Sequence, residues 1–313
     1  MRTDVRNDAA LDQAAGLREI KKKERCSNQT IARPISAERY ALKPRDVRVI
    51  SVTSGKGGVG KTNITANLAY FLSKRNKKAL VLDADAGLAN IDVILGINPP
   101  YNLYHVLKGE KTLTQTIVDG PGGIKILPSA SGIQEMTDLS RGQKLTLVDE
   151  LNTLNDSVDF MLIDTAAGIS SNVMYFNMAA KEIIVVTSPE PTALTDAYAL
   201  IKILYQRYAK RRFRLIVNMV KNASEAKEVY ARLSRATDHF LNLTIEYLGY
   251  IVLDEKVKDA VRQQTALAEI YPQSPAARCL EKIADKLSAE NVTDYENGSI
   301  IFFWENILDK NRS

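Results

Sequence analysis

Short apolar runs alternate with longer helical patterns along this chain from residue 47 onward. The runs are rich in Val and Ile and have no polar face, which is typical of strands buried on both sides of a parallel sheet. The predicted strands are 47–53, 78–84, 124–128, 159–165, 182–188, 213–219 and 245–251, and the predicted helices include 61–74, 143–154, 192–209, 222–238 and 275–288. The pattern predicts an α/β fold with a doubly wound, mostly parallel sheet flanked by helices.

Polar stretches divide the chain into four predicted parts. Residues 26–46 contain two prolines and scattered charge without a periodic apolar face, which favours a linker. A second polar stretch, residues 288–299, interrupts the last helical pattern. The predicted organisation is therefore an N-terminal segment 1–25, a linker 26–46, a main domain 47–289 and a C-terminal part 290–313.

Composition excludes several classes of protein. No apolar run approaches the roughly 18 residues of a membrane span, and acidic residues occupy the N-terminus where a secretory signal needs an apolar core. The two cysteines, Cys26 and Cys279, lack CxxC spacing, so we expect neither a disulfide framework nor an iron–sulfur site. These features predict a cytosolic protein that does not span the membrane.

The net charge of +5 is concentrated in the N-terminal tail, because residues 1–46 hold 11 Lys/Arg and 7 Asp/Glu, or 11 − 7 = +4. One basic run in the main domain, Lys210–Arg214, lies where a helix should end, a position that the helix dipole favours. A solvated helix end explains this run, and an anion or nucleic-acid patch is the alternative. We do not expect nucleic acid to be a partner.

Residues 55–62 satisfy the phosphate-binding pattern G-x-x-x-x-G-K-[ST] between a predicted strand and a predicted helix. Glycines in such a loop allow successive N–H groups to converge on one anion at a helix N-terminus. Lys61 is predicted to bridge the β- and γ-phosphates, and the Thr62 hydroxyl to ligate Mg²⁺. The predicted nucleotide-contacting residues are Gly55, Gly57, Gly58, Val59, Gly60, Lys61, Thr62 and Asn63.

Carboxylates follow two other predicted strands, at the edge of the sheet where ligands of such folds bind. Asp164 ends the apolar run 159–165 and is the predicted magnesium carboxylate. Asp83 and Asp85 alternate along the chain after the second strand, so in extended backbone they face the same side. One or both could orient the attacking water, and Asp83 could also reach the metal. Helix N-capping is the alternative role for each.

The base is predicted to be adenine. Many P-loop GTPases read guanine with Asn-Lys-x-Asp, whereas this chain continues from Asn218 as Met219, Val220 and Lys221 without an Asp in place. We therefore expect ATP, with Asn218 near the base, and Mg²⁺-dependent hydrolysis to ADP and phosphate.

The segments "KGGVGKT", "DADAGLANIDVILG" and "LIDTAAG" resemble the deviant Walker-A ATPases of the MinD/ParA class. In that class the lysine at the position of Lys56 crosses a dimer interface and contacts the partner's ATP. The resemblance thus implies an ATP-bound homodimer, in which Lys56 supplies a cation to the transferring phosphoryl group. A solvated loop lysine is the alternative. These ATPases often have Ile-Pro after the late strand, with the proline packed on adenine, and Val252 stands at the proline position here, so the resemblance implies an apolar contact of Val252 with adenine.

Within that class the chain resembles the FlhG family, also named FleN or YlxH, which regulates flagellar number and placement. Residues 11–19, "LDQAAGLRE", match the DQAxxLR segment of that family. The resemblance implies that Asp12, Gln13 and Leu17 contact the GTPase FlhF and that Gln13 helps to orient its attacking water. Gly16 disfavours a helix there and the segment is short, so a frayed tail is the alternative. Switch-complex proteins of the flagellar basal body are further expected partners.

The C-terminal residues Ile300, Phe303, Trp304, Ile307 and Leu308 recur at i, i+3, i+4, i+7 and i+8. They form one apolar stripe, which could lie in a membrane interface or dock on the main domain. The family resemblance implies a membrane-targeting helix and peripheral attachment to the inner face of the cell membrane when ATP is bound. Two alternative functions remain, a MinD-type septum-site ATPase and a ParA-type DNA-partitioning ATPase that uses Lys210–Arg214.

Overall fold

The computed structural model describes residues 47–85, 90–128, 150, 154 and 157–290. All of them belong to one unit, which spans residues 45–313. The predicted N-terminal segment, linker and C-terminal stripe lie outside the described residues. Among the described residues, no helix is both long and apolar enough to cross a bilayer.

Eight strands form a single sheet in the order β3-β4-β2-β5-β1-β6-β7-β8. The strands are β1 (Arg48–Ser54), β2 (Ala79–Ala84), β3 (Val118–Asp119), β4 (Lys125–Leu127), β5 (Phe160–Ala167), β6 (Glu182–Thr187), β7 (Phe213–Val220) and β8 (Glu246–Val252). All pairs are parallel except β3 with β4. All seven predicted strands are confirmed, and the two-residue strand β3 was not predicted.

Ten α-helices connect these strands in the described part of the chain, together with a 3₁₀ turn at Pro121–Gly123. The helices are α1 (Lys61–Lys74), α2 (Ile91–Leu95), α3 (Leu103–Leu107), α4 (Leu113–Thr116), α5 (Ser171–Ala179), α6 (Pro191–Tyr208), α7 (Ala223–Leu241), α8 (Glu255–Arg262), α9 (Leu267–Ile270) and α10 (Pro275–Ala289). Four predicted helices are confirmed as α1, α6, α7 and α10. The predicted helix 143–154 falls largely outside the described residues.

Helices cover both faces of the sheet. On one face, α1 and α10 pack on alternate residues of the strands in a core that includes Val52, Leu68 and Leu280. On the other face, α6 and α7 pack on the residues between, in a core that includes Val185, Leu200 and Leu233. Burial on both faces explains why the strands read as continuous apolar runs.

The direction of winding reverses at β1. The chain leaves β1 through α1 to reach β2 on one side, and later fills β6, β7 and β8 on the other. Ligands of open α/β sheets bind outside the carboxyl ends of the strands at such a reversal point. The loop after β1 lies at this point, and the ends of β5 and β2 lie beside it.

Candidate functional site

Residues 55–60 join the end of β1 to the start of α1 and form the predicted phosphate loop. Gly60 is the N-cap of α1 with φ 91°, so no side chain caps the first N–H groups, and the first turn contains no acidic residue. Free N–H groups and the positive end of the helix dipole favour an anion here. The Ser54 hydroxyl donates to the carbonyl of Lys56 at 2.7 Å and so fixes the beginning of the loop.

The four glycines of this loop meet different requirements. Gly58 and Gly60 have positive φ, at 79° and 91°. A Cβ on Gly60 would also lie 2.5 Å from Asn218 Nδ2, and a Cβ on Gly55 would overlap the backbone of Asp196. Gly57 has neither constraint, since the nearest atom to its Cβ position is 4.0 Å away. Of these four glycines, only Gly58 and Gly60 adopt the left-handed backbone.

Asp83 and Asp164 are register partners on the neighbouring strands β2 and β5. Their exposed fractions are 2% and 1%. Burial and the charge of the neighbouring Asp164 together raise the pKa of Asp83 to about 7, against backbone hydrogen bonds that lower it. Burial also raises the pKa of Asp164 to about 6, against the hydrogen bond from Thr62 and the charge of Lys61. Two buried carboxyl groups thus face one another next to the phosphate loop.

Asp83 and Asp85 have different surroundings, although the sequence suggested similar ones. The carboxylate of Asp83 accepts the backbone N–H of Asp85 at 3.1 Å and that of Ile91 at 3.5 Å. Asp85 is half-buried and interacts with Lys61 through its charge. Burial lowers the pKa of Lys61, and the charges of Asp164 and Asp85 oppose that shift. Asp83 therefore holds its own loop in place, while Asp85 lies nearer the phosphate-binding lysine.

The oxygen atoms at this point suit a magnesium ion. Thr62 hydrogen-bonds to Asp164, and the Thr65 hydroxyl bonds to Asp164 Oδ1 at 3.3 Å. No group of three or more His, Cys, Asp or Glu in the described part of the chain is arranged to hold a metal. Mg²⁺ in proteins takes one or two carboxylates and completes its shell with phosphate oxygens and water. The oxygen atoms of Thr62, Asp164 and Asp83 match this coordination preference of Mg²⁺.

Asn218 and Val252 lie on the other side of the loop. Asn218 is buried near the end of β7, and its Nδ2 donates to the carbonyl of Val59 at 2.8 Å. Val252 is half-buried and packs against the core, whereas the next residue, Leu253, is exposed. Met219 is also exposed and has φ 59°. Asn218 thus supports the phosphate loop directly, and two exposed apolar side chains border it.

Lys56 lies at the surface of the loop. Its Nζ forms an ion pair with Glu190 and a hydrogen bond of 2.9 Å with the Thr192 hydroxyl, both at the start of α6. The side chains of Lys56 and Glu190 are 37% and 63% exposed. Both contacts are therefore open to water, and an exposed pair of this kind holds its lysine only weakly.

Sequence reasoning missed three residues of this region. Thr65 and Glu190 belong to no motif that the sequence analysis used. Asn177 on α5 is fully buried and bonds with the hydroxyls of Ser51 and Thr53 on β1, at 2.8 and 3.2 Å. A polar residue within an apolar stretch was the available signal. The predicted FlhF-contacting and membrane-contacting residues lie outside the described residues.

Comparison with known proteins agrees with this geometry. The ParA family model, described as NUBPL iron-transfer P-loop NTPase, matches residues 46–288. The antiactivator FleN of Pseudomonas aeruginosa is 41% identical over 262 residues, which cover 84% of this chain and 94% of FleN. The flagellum site-determining protein YlxH of Helicobacter pylori is 39% identical over 257 residues, which cover 82% of this chain and 85% of YlxH.

Among solved structures, the septum site-determining protein MinD of Pyrococcus horikoshii, complexed with Mg-ADP, superposes with a TM-score of 0.61 at 25% identity. The superposition covers 78% of this chain and 96% of that one. The chain therefore belongs to the MinD/ParA family of P-loop NTPases and is related within it to FleN and YlxH.

Proposed function

We propose that this protein is an ATP-dependent dimerising switch that hydrolyses ATP and regulates the number and placement of flagella. The flagellar role is supported by the similarity to both an antiactivator FleN and a flagellum site-determining YlxH along nearly the whole of those proteins. The observation that carries the ATPase activity is the placement of Asp83 and Asp164 in register beside the phosphate loop.

Different residues of the site bind the phosphates, hold the metal and orient the attacking water during ATP hydrolysis. The open N–H groups of the loop and Lys61 bind and orient the phosphates. Thr62 and Asp164 hold magnesium, with Asp83 in reach directly or through water. When bound, Mg²⁺ neutralises charge on the β- and γ-phosphates. Asp85 orients the attacking water, because its charge acts on Lys61 beside the position of the phosphates.

Lys56 supplies the link between ATP and dimerisation. Its cis contacts with Glu190 and Thr192 are exposed, so the side chain can leave them and reach the triphosphate held by a second copy. We expect Lys56→Ala to remain monomeric with Mg-ATP in light scattering, while Lys125→Ala, at the far edge of the sheet, dimerises like the wild type. A normal ATP-dependent dimer of Lys56→Ala would contradict the trans role.

The N-terminal segment is proposed to stimulate FlhF. Full-length protein with Gln13→Ala should bind ATP normally but fail to accelerate GTP hydrolysis by FlhF in a phosphate-release assay. Equal acceleration by the variant would contradict the role of Gln13. The flagellar switch-complex proteins are proposed as further partners, and co-sedimentation with purified basal bodies tests that association.

The C-terminal stripe is proposed to attach the ATP dimer to the inner face of the cell membrane, the monomer being cytoplasmic. Its residues are Ile300, Phe303, Trp304, Ile307 and Leu308. Vesicle sedimentation with ATP and with ADP, on the full chain and on a version ending at residue 290, tests the attachment. Binding of the shortened version as strong as that of the full chain would exclude the stripe as the anchor.

A MinD-type role in septum placement is the second candidate, because a MinD structure superposes on the domain. A pull-down with FlhF separates the two roles.

A ParA-type role on DNA predicts that the ATP dimer retards a DNA fragment at physiological salt, with a steep loss of binding as salt rises. We do not extend the iron transfer of the family description to this chain, because all eight strands lie between its two cysteines, Cys26 and Cys279, which lack CxxC spacing.

A further inference from the structure

The edge of the sheet opposite the phosphate loop, where the strands begin, carries a network of buried charges. Arg48, Glu182 and Arg214 lie at the starts of β1, β6 and β7, with side chains 4%, 6% and 8% exposed. Arg48 Nε donates to Glu182 Oε1 at 2.8 Å, and Arg48 Nη2 approaches Glu182 Oε2 at 2.6 Å. These paired charges fix the amino-terminal edge of the sheet.

The network also fixes the end of α10. This helix begins near the carboxyl end of β8, where the backbone N–H of Ala276 donates to Asp254. Beyond its other end, Glu290 Oε2 accepts from Arg48 Nη2 at 3.1 Å and from Arg214 Nη1 at 2.9 Å. Glu290, the last described residue, therefore lies at the amino-terminal edge of the sheet.

Basic residues are concentrated at the amino-terminal edge of the sheet. In the three positions before each parallel strand, the described residues include six basic ones and a single acidic one, Asp159. The six are Lys77 and Lys78 before β2, Lys181 before β6, and Lys210, Arg211 and Arg212 before β7. Lys210 is turned inward, because its Nζ donates to the carbonyl of Ala180 at 2.7 Å. Arg207, in the last turn of α6, adds an exposed cation.

We define the basic edge as Lys77, Lys78, Lys181, Arg207, Arg211 and Arg212. From β2 to β7 it crosses four strand intervals, about 19 Å. The opposite edge is mixed, since Asp85, Glu190, Asp254 and Glu255 follow the strands there together with Lys56 and Lys221. That carboxyl edge is also the proposed site of the nucleotide and of the second copy, whereas the basic edge has no role in that function.

The C-terminal stripe lacks the positive charge that would attract it to anionic lipid. Its polar residues balance, with Glu305 and Asp309 against Lys310 and Arg312, so it offers apolar contact without attraction to anionic lipid. Stable membrane attachment generally takes two signals, such as an apolar anchor and a cluster of basic residues. Residues 291–299 span at most about 32 Å when extended, so the stripe stays in reach of the basic edge.

We propose that the basic edge binds the headgroups of an anionic lipid bilayer and acts as the second membrane contact beside the C-terminal stripe. This inference rests on the proposed membrane attachment of the stripe. In this proposal the basic edge of the folded domain supplies the electrostatic attraction to anionic lipid, and the C-terminal stripe supplies the apolar contact. Glu290, which precedes the C-terminal segment, is held at the same edge of the sheet by Arg48 and Arg214.

The test is sedimentation of the full chain, loaded with Mg-ATP, on two kinds of vesicle. One kind is pure phosphatidylcholine and the other is phosphatidylcholine mixed with phosphatidylglycerol. The variant Lys78→Gln/Arg207→Gln/Arg211→Gln removes three charges from the basic edge, and the control Lys227→Gln/Lys256→Gln/Lys258→Gln removes three from α7 and α8 near the other edge. We expect the first variant to bind the anionic vesicles at least about tenfold more weakly than the wild type and the control to bind normally.

The outcomes separate this inference from the proposed function. Equal binding of both triple variants and the wild type to anionic vesicles would overturn the role of the basic edge and leave the stripe as the anchor. Failure of the wild type to bind either vesicle would overturn the membrane attachment itself. Loss of DNA retention by the basic-edge variant with unchanged vesicle binding would replace the lipid partner by nucleic acid. Equal ATP hydrolysis by the three proteins confirms that the variants fold.

Discussion

Gly60 is the residue of the phosphate loop at which backbone and space both exclude a side chain. Its φ of 91° is in the left-handed region, and a Cβ would lie 2.5 Å from Asn218 Nδ2, which itself holds the carbonyl of Val59. We predict that Gly60→Ala lowers the Tm of the nucleotide-free protein by about 3–8 °C, because left-handed backbone costs Ala about 1–2 kcal/mol. Differential scanning calorimetry measures the shift.

Gly57→Ala is the matched control for Gly60→Ala. Gly57 has neither positive φ nor an atom closer than 4.0 Å to its Cβ position. Its Tm should stay within about 1 °C of the wild type. If the two variants lowered the Tm equally, the positive φ and close contact of Gly60 would not be the cause of its shift.

Glu190 determines how firmly one protomer keeps its own Lys56. Because the ion pair is exposed, it contributes about 0–1 kcal/mol. We predict that Glu190→Gln strengthens the ATP-dependent dimer by less than about fivefold. Analytical ultracentrifugation across a concentration series measures the dimer Kd. A variant that dimerises without nucleotide would contradict this prediction, since it would make Glu190 the main barrier to association.

At the scale of the element, Asn177 ties α5 to β1. Its side chain bonds to the hydroxyls of Ser51 and Thr53 and to the carbonyl of Val173 at 2.7 Å, all in a buried setting. We predict that Asn177→Leu destabilises the protein by about 2–3 kcal/mol, because the strand hydroxyls lose their partner in the interior. Urea unfolding followed by circular dichroism measures the change. Asn172→Leu, half-buried one turn earlier, should change stability by less than about 1 kcal/mol.

Most of the strands were predictable because they are buried on both faces and therefore consist mainly of apolar residues. The long helices α1, α6, α7 and α10 were predictable because they repeat an apolar face over several turns. Helices α2, α3, α4 and α9 have only four or five residues, too few for a period to show. Helix α5 buries the polar Asn177 among apolar residues, so its pattern lacks a polar face that would mark it as a surface helix.

The site was predictable where one local motif contains it. The phosphate loop is contiguous, and Asp83 and Asp164 each end an apolar run, so topology alone brings them to one edge. Contacts between distant segments were not predictable. The pair of Lys56 with Glu190 and the bond of Asn218 to Val59 depend on how β6 and β7 lie beside β1, which no local pattern specifies.

At the scale of the whole molecule, the two edges of the sheet divide the charges. Carboxylates at the ends of the strands lie beside the phosphate loop and suit a metal ion, while basic residues gather where the strands begin. The buried charges at the beginning of the strands are paired with one another, and the basic residues of the basic edge lie around them. Glu290 connects the buried charge network with the C-terminal segment, because it accepts hydrogen bonds from Arg48 and Arg214 and directly precedes that segment.

Glu290 should make part of the stability depend on pH. Partial burial alone would raise its pKa, but the hydrogen bond and charge of Arg214 and then those of Arg48 outweigh this and lower the pKa below its ordinary 4.5. A depressed carboxyl pKa stabilises the fold above the unfolded value and loses that effect as pH falls through the folded value. The contribution of Glu290 is therefore present at pH 7 and disappears below pH 4.5.

We predict that Glu290→Gln lowers the free energy of unfolding at pH 7 by about 1 kcal/mol, since the side chain is 41% exposed and its arginines keep Glu182 and Glu246. The difference from the wild type should shrink towards zero in acid, below pH 4.5. Urea titrations at both pH values measure it. Asp119→Asn, which breaks an exposed pair with Lys125, should change stability by less than about 0.5 kcal/mol at either pH. A deficit of Glu290→Gln that persists in acid would mean that its shape, and not its charge, supports the edge.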